Sequence, residues 1–116
     1  MNNARTRLWL RRAFFVCAAF AFVMALLPRA PSLPVEQGDK VMHMLAFLSL
    51  GALAAAGWRE KSALALFAAL AIFGGAIESF QAIPALNRDA EWLDWIADMA
   101  AGLVAIVLVR WLFPRL

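Results

Sequence analysis

Residues 72–84 read IFGGAIESFQAIP, and they place a carboxylate and an amide inside a segment that otherwise resembles a membrane helix. The eleven residues from Ser62 to Ile72 contain no charge. Glu78 and Gln81 then appear before the segment has run the roughly 20 residues that a membrane crossing requires. Because an ionisable group inside a bilayer is costly, the stretch indicates that Glu78 meets polar partners from other helices or a ligand.

The composition excludes an ordinary soluble domain. The chain has 116 residues, of which 65% are hydrophobic and 16% are charged, whereas soluble domains carry about 25% charged residues. We therefore expect residues 1–116 to form a single membrane domain. The basic residues are scattered at segment ends instead of forming a stripe, which argues against nucleic acid as a partner. Cys17 is the only cysteine, so the chain cannot form an internal disulfide, and we interpret it as an apolar packing residue.

Hydropathy predicts an all-α polytopic membrane protein with four transmembrane helices in an antiparallel bundle. The predicted spans are about 8–27, 41–58, 62–83 and 92–113, each near the length that crosses the hydrocarbon core. The first span could instead be a signal peptide, because RTRLWLRR at residues 5–12 is basic. The proline-studded LPRAPSLP at 27–34 offers no good cleavage site, so we favour a retained anchor in which Arg11 and Arg12 snorkel.

The distribution of Lys and Arg predicts the orientation. With a cytoplasmic N-terminus, eight basic residues fall inside and three outside, which satisfies the positive-inside rule. The inner residues are Arg5, Arg7, Arg11, Arg12, Arg59, Lys61, Arg110 and Arg115, and the outer ones are Arg29, Lys40 and Arg88. All five tryptophans fall near predicted span ends, as expected of interfacial rings. We expect a multi-pass protein of the bacterial cytoplasmic membrane with both termini in the cytoplasm.

Ionisable residues on three spans are predicted to share one depth in the outer leaflet. His43, Glu78 and Asp98 each lie about one helical turn inside the outer end of their span. On spans three and four they share faces with small residues, where membrane helices approach closely. The candidate polar site comprises Asp39, Lys40, His43, Glu78, Gln81, Arg88, Asp94 and Asp98. The candidate packing residues are Gly51, Gly74, Gly75, Ala101 and Gly102.

Each polar residue also has a purely structural interpretation. Asp39 and Asp94 could be helix-capping acids, and Lys40 and Arg88 could be interfacial anchors. His43 alone is more often a hydrogen-bonded packing residue than a ligand, and Gln81 could join helices. Glu78 and Asp98 fit these interpretations poorly, since neither starts a helix or lies in a loop. We therefore expect these two carboxylates to belong to a shared polar site.

Three motifs in order resemble those of VanZ-like membrane proteins. DKVMHMLAF at 39–47 resembles their D-K-x-x-H-x-x-x-F, and GGAIESFQ at 74–81 resembles their G-x-x-x-E-x-x-Q. NRDAEWLDWIADMAAG at 87–102 is similar to their R-x5-D-x3-[N/D] segment. The resemblance covers roughly residues 39 to 106. This chain departs from the family pattern at Asp98, where many members have Asn, and at Ala101, where glycine is usual.

The VanZ resemblance implies a four-helix protein of the bacterial cytoplasmic membrane. The founding member of the family is linked to resistance to the glycopeptide teicoplanin. A role in the cell envelope follows as an expectation, with an envelope lipid, a cell-wall precursor or a glycopeptide as the bound partner. The resemblance supplies an architecture and a candidate site rather than a reaction.

The residues themselves leave three functions open. Carboxylates outnumber fixed cations in the candidate site, which favours a cation, an ammonium group or a proton over a bare phosphate. The first function is a binding protein or enzyme, in which His43, Glu78 and Asp98 could act in catalysis or hold a divalent cation such as Mn, Zn or Mg. The second is a transporter or proton-coupled element. The third is a structural or partner-binding role, in which buried ion pairs such as Glu78–Arg88 and Asp98–His43 fix the geometry of the bundle. The small-residue faces could also serve a homo-oligomer.

Overall fold

The computed structural model describes residues 4–27, 38–83 and 92–114. For Gly38 and Asp39 it describes the backbone alone. These residues form four helices: α1 (Ala4–Leu26), α2 (Gly38–Gly57), α3 (Ala63–Gln81) and α4 (Trp92–Leu112). All four are long and apolar enough to cross a membrane. The predicted all-α membrane architecture is therefore confirmed at this level.

The helix bounds differ slightly from the predicted apolar spans. Helix α1 begins at Ala4, ahead of the predicted Leu8, because Ala4, Arg5 and Arg7 are good helix formers whether or not they enter the bilayer. Ser62 is the N-cap of α3 rather than its first residue, and its Oγ accepts a 3.0 Å hydrogen bond from the Ala65 amide. Helix α3 ends at Gln81, three residues before Pro84.

Cross-helix contacts fix the direction of each helix. Lys40 and His43 near the start of α2 meet Asp94 and Asp98 near the start of α4, so these two helices run parallel. Arg11 near the start of α1 contacts Gly57 at the end of α2, so α1 runs opposite to α2. We call the end that contains the α2–α3 turn at residues 58–62 the turn end, and the opposite end the polar end.

Helix α2 packs most extensively against α4, and less so against its sequence neighbour α3. The predicted α2–α3 hairpin is thus present in the topology, but it is not the main packing contact. The physical reason lies at Gly51 and Gly102, where a Cβ added to Gly51 would lie 2.5 Å from the Gly102 carbonyl oxygen. Glycine at both positions lets the two backbones touch, as is typical of membrane helix pairs.

The interior of the bundle is apolar, and so is much of its outer surface. Phe47, Leu50, Leu70 and Ile106 are fully buried. Large apolar side chains also stand exposed on every helix, for example Phe15, Leu48, Leu64 and Val104. A bundle that is apolar on both sides is expected where lipid replaces water as the surrounding solvent.

Candidate functional site

The polar residues predicted from three spans lie at one end of the bundle. The described members are Lys40, His43, Glu78, Gln81, Asp94 and Asp98, which we call the polar cluster. Glu78, Gln81 and Asp98 are only 2%, 2% and 3% exposed, and they are the buried polar or charged residues of the described part of the chain. The carboxyls of Glu78 and Asp98 therefore lie inside the bundle instead of among lipid chains.

Two charged contacts bridge α2 and α4 at the polar end. Lys40 Nζ lies 3.4 Å from Asp94 Oδ1, in the first turn of α4. One turn deeper, His43 Nδ1 lies 3.8 Å from Asp98 Oδ2, which is beyond hydrogen-bond distance but within the range of an ion pair when the imidazole is protonated. The outer pair is partly exposed, whereas the Asp98 side chain is almost entirely buried.

Glu78 reaches the interior from α3. It lies one turn after Gly74, on the same helix face. A Cβ added to Gly74 would lie 3.0 to 3.3 Å from atoms of Met99, Trp95 and Phe47, so this face is directed towards α4 and α2. The face predicted for Glu78 from the sequence is therefore the face that packs into the bundle.

Gln81 joins α3 to α1. Its Nε2 donates a buried 2.8 Å hydrogen bond to the carbonyl oxygen of Ala25, near the end of α1. Such a bond holds two helices together in an apolar environment, where an unpaired polar group is costly. The structural interpretation of Gln81 thus explains its position without a ligand.

Two predicted site residues cannot be placed. Arg88 lies outside the described residues, and so does the side chain of Asp39, although its backbone belongs to α2. The remaining candidates reach the polar end from three helices: Lys40 and His43 from α2, Glu78 and Gln81 from α3, and Asp94 and Asp98 from α4.

The hypothesis that His43, Glu78 and Asp98 bind a divalent cation gains no support from the described residues. Within the described ranges, no group of three or more His, Cys, Asp or Glu side chains could hold a metal ion. His43 approaches Asp98 across the tight α2–α4 contact, and Glu78 enters the bundle from α3. The described residues therefore do not fit a three-ligand metal site.

Helix packing follows the small residues, with one unexpected contributor. Gly51, Gly74 and Gly102 lie at close contacts, Ala101 is buried, and a Cβ on Gly75 would approach Trp95 only to 3.8 Å. The Trp95 ring does not simply anchor the protein at the interface. It packs against Gly74, and its Nε1 donates a 3.1 Å hydrogen bond to the Ala71 carbonyl oxygen.

Arginines at the turn end bind backbone carbonyls, a role that sequence reasoning missed. Arg11 Nε donates to Gly57 O at 2.7 Å, Arg110 Nη2 to Trp58 O at 3.0 Å, and Arg59 Nη2 to Phe113 O. These oxygens belong to the ends of α2 and α4, where carbonyls lack helical partners and attract cations. The signal available in the sequence was the position of these arginines near predicted span ends, where the last carbonyls of a neighbouring helix lack donors.

Trp58 holds the turn end together through its ring. Phe14 and Phe15 of α1 contact that ring edge to face, with centroid distances of 5.1 and 5.7 Å. The Arg11 guanidinium lies 5.2 Å from the ring centroid and also pairs with Glu60 at 3.0 Å. Burial and the nearby Arg110 guanidinium lower the pKa of Arg59 from its ordinary value.

The polar cluster combines acids, an imidazole and an ammonium group in an apolar bundle. Such a set can bind a cation or a hydrogen-bond donor, or can hold a proton. No family model, curated protein or solved structure matches the chain. The resemblance to VanZ-like proteins accordingly rests on the motif residues, most of which belong to the polar cluster.

Proposed function

We propose that this chain is a VanZ-like protein of the bacterial cytoplasmic membrane whose polar cluster lies in the outer leaflet. The orientation is supported by the eight basic residues on one side against three on the other. Arg11, Arg59, Lys61 and Arg110 all belong to the turn end, which the positive-inside rule assigns to the cytoplasm. Both termini are then cytoplasmic.

The proposed activity is binding of an envelope lipid, a cell-wall precursor or a glycopeptide through an amine or another hydrogen-bond donor. The observation that carries this proposal is the burial of two carboxylates, Glu78 and Asp98, at the same end of an apolar bundle. The same bundle joins α3 to α1 with the neutral amide of Gln81. Since a neutral group suffices for joining helices, the costlier carboxylates favour recognition of a donor or a cation.

A structural role is the second candidate, and a specific observation favours it. Lys40–Asp94 and His43–Asp98 both bridge α2 and α4, so they could serve to fix the register of this helix pair. A transporter is less well supported. Below His43, the described interior is filled by Phe47, Leu50 and Ile106, which offer no polar route towards the turn end.

Gentle extraction followed by native mass spectrometry tests the binding proposal. We expect the wild-type protein to carry a lipid or a cell-wall intermediate, and Glu78→Gln and Asp98→Asn to lose it while remaining folded. The matched control is Glu60→Gln, which removes an exposed acid at the opposite end. Reproducible absence of any bound molecule would contradict the proposal.

A charge exchange separates binding from structure. In the doubly substituted His43→Asp, Asp98→His protein, a structural pair is re-formed in the opposite sense, so folding and any activity should be restored relative to the single variants. A binding site that recognises a donor through Asp98 should stay empty in the same protein. If the doubly substituted protein regained both its folding and its bound ligand, the role of Asp98 would be structural.

A further inference from the structure

An apolar crevice lies at the turn end, away from the polar cluster. Its volume is about 380 Å³, within the range of small-molecule sites. Trp58 and Lys61 of the turn line it together with seven helix residues. The helix residues are Phe14 and Phe15 from α1, Ala54 from α2, and Ala65, Leu66, Ala69 and Leu70 from α3. None of the lining residues belongs to the polar cluster.

The crevice has a structural cause in the packing of α1. This helix packs more extensively against α2 than against α3, and the Gln81–Ala25 hydrogen bond ties α1 to α3 at the polar end. At the turn end, two of the four α3 residues that line the crevice, Ala65 and Ala69, have small side chains. Space therefore remains between α1 and α3, two helices that are each long enough to cross the membrane.

The position of the crevice determines what can fill it. Its walls are almost wholly apolar, and the helices that form it are surrounded by lipid rather than water. Because close packing is favourable in apolar surroundings, an acyl chain is the natural occupant of such a space. A chain lying along α3 would place its headgroup near the turn, at the end of the membrane span.

The turn supplies a matching charge for that headgroup. Arg11, Arg59 and Arg110 are engaged with carbonyl oxygens of helix ends. The ammonium group of Lys61 makes no hydrogen bond or ion pair with the described residues, and its side chain is exposed. Glu60, the acid next to it in the sequence, already pairs with Arg11. Lys61 is therefore available to a phosphate at the mouth of the crevice.

We propose that the turn-end crevice binds one anionic glycerophospholipid. One acyl chain lies between α1 and α3 against Ala65 and Ala69, and Lys61 contacts the phosphate. This site needs the membrane-spanning fold but not the polar cluster. Its failure and the failure of the proposed function at the polar end are therefore separate results.

The test compares phosphatidylglycerol with phosphatidylcholine of identical acyl chains, titrated into delipidated protein and counted by native mass spectrometry. We expect one phosphatidylglycerol to bind more tightly than any phosphatidylcholine. Lys61→Gln should weaken the binding of phosphatidylglycerol by about five-fold, which is the effect of one basic residue near a lipid surface. The binding of phosphatidylcholine should stay unchanged. Arg12→Gln is the matched control, since Arg12 is exposed, its guanidinium lies over the Trp9 ring, and it does not line the crevice.

Filling the crevice tests the acyl chain independently of the headgroup. Ala69→Leu should abolish the bound lipid, whereas Ala68→Leu, an exposed neighbour that does not line the crevice, should retain it. Ala65→Leu provides a second filling variant should the first unfold. Retention of phosphatidylglycerol by both filling variants, or an equal effect of Lys61→Gln on the two lipids, would overturn the proposal.

Discussion

The two ends of this bundle use charge in different ways. At the polar end, side chains meet side chains across α2 and α4, and three polar residues are almost fully buried. At the turn end, guanidinium groups meet backbone carbonyls at the ends of helices, where they are partly exposed. Both arrangements connect helices that are distant in sequence.

The difference shows that a charged side chain at a helix end has a simple structural explanation, whereas a buried carboxylate requires a further one. The carbonyls at the end of a helix need a donor, and an arginine near the headgroups provides one at modest cost. A buried carboxylate has no such simple explanation, because its desolvation is expensive and hydrophobic side chains would pack as well. Substitutions at the polar end should therefore have larger effects than substitutions at the turn end.

The largest difference is expected between the inner and the outer acid of α4. Asp98→Ala should destabilise the bundle by about 3 kcal/mol, because it removes the almost fully buried member of the pair that joins α2 to α4. Asp94→Ala removes a partly exposed pair with Lys40 and should cost less than about 1 kcal/mol. Equilibrium unfolding in detergent micelles measures both, and equal effects would contradict the assigned burial.

The next largest effect should come from the glycine contact between α2 and α4. Gly51→Ala would place a Cβ against backbone, 2.5 Å from Gly102 O, so the helices must separate at a cost of about 2 kcal/mol. Separation should also lengthen the Lys40–Asp94 and His43–Asp98 contacts.

Gly75→Ala is the matched control for Gly51→Ala. Its new methyl group would meet only Trp95 Nε1 at 3.8 Å, so it should leave stability unchanged or raise it by about 0.5 kcal/mol through helix propensity. The same unfolding assay compares the two variants. Equal stability of both proteins would exclude a tight α2–α4 contact.

Much of this fold follows from the sequence, because hydropathy and small-residue faces act locally. Four helices and the inward direction of Glu78 and Asp98 were predictable from periodicity alone. The dominance of the α2–α4 contact was not, since the short 58–62 turn draws attention to the sequence neighbours α2 and α3. Only the three-dimensional packing brings Gly51 against Gly102.

The candidate site was predictable in its residues and in one pairing, Asp98 with His43, which the structure confirms. Depth and helix face brought His43, Glu78 and Asp98 to one end, yet they did not predict the pairing of Lys40 with Asp94 or of Gln81 with a backbone carbonyl. The structure brings His43 to Asp98 and uses Gln81 for a carbonyl of α1. The order of spans along the chain carries no information about lateral neighbours, so the sequence alone could not decide whether these three side chains form a metal site.

A smaller and more local effect is expected at Gln81. Gln81→Leu leaves the Ala25 carbonyl without this donor, which should cost about 1 kcal/mol and loosen the end of α1. Ser79→Ala is the control, because Ser79 is exposed and its Oγ donates only to Gly75 O within α3. Hydrogen exchange of α1 amides should rise in the first variant and not in the second.

The smallest effect concerns pH at the turn end. A hydrogen bond from its own backbone amide lowers the pKa of Glu60 below its ordinary value, with Arg11, Lys61 and Arg7 acting in the same direction. An acid whose pKa is lower in the folded state stabilises that state above its unfolded pKa. That contribution is lost as the pH falls through the lowered pKa.

The contact between α1 and the turn should therefore be unchanged between about pH 7 and 5 and loosen only in stronger acid. The exposure of Glu60 makes the change local, so it should appear in the fluorescence of Trp58 beside Arg11 rather than in global unfolding. Subtracting the titration of Glu60→Gln isolates it from the buried acids at the polar end. If the variant and the wild-type protein gave superimposable curves down to pH 3, the Arg11–Glu60 pair would contribute nothing to the turn end, and the Gly57 carbonyl alone would hold Arg11 there.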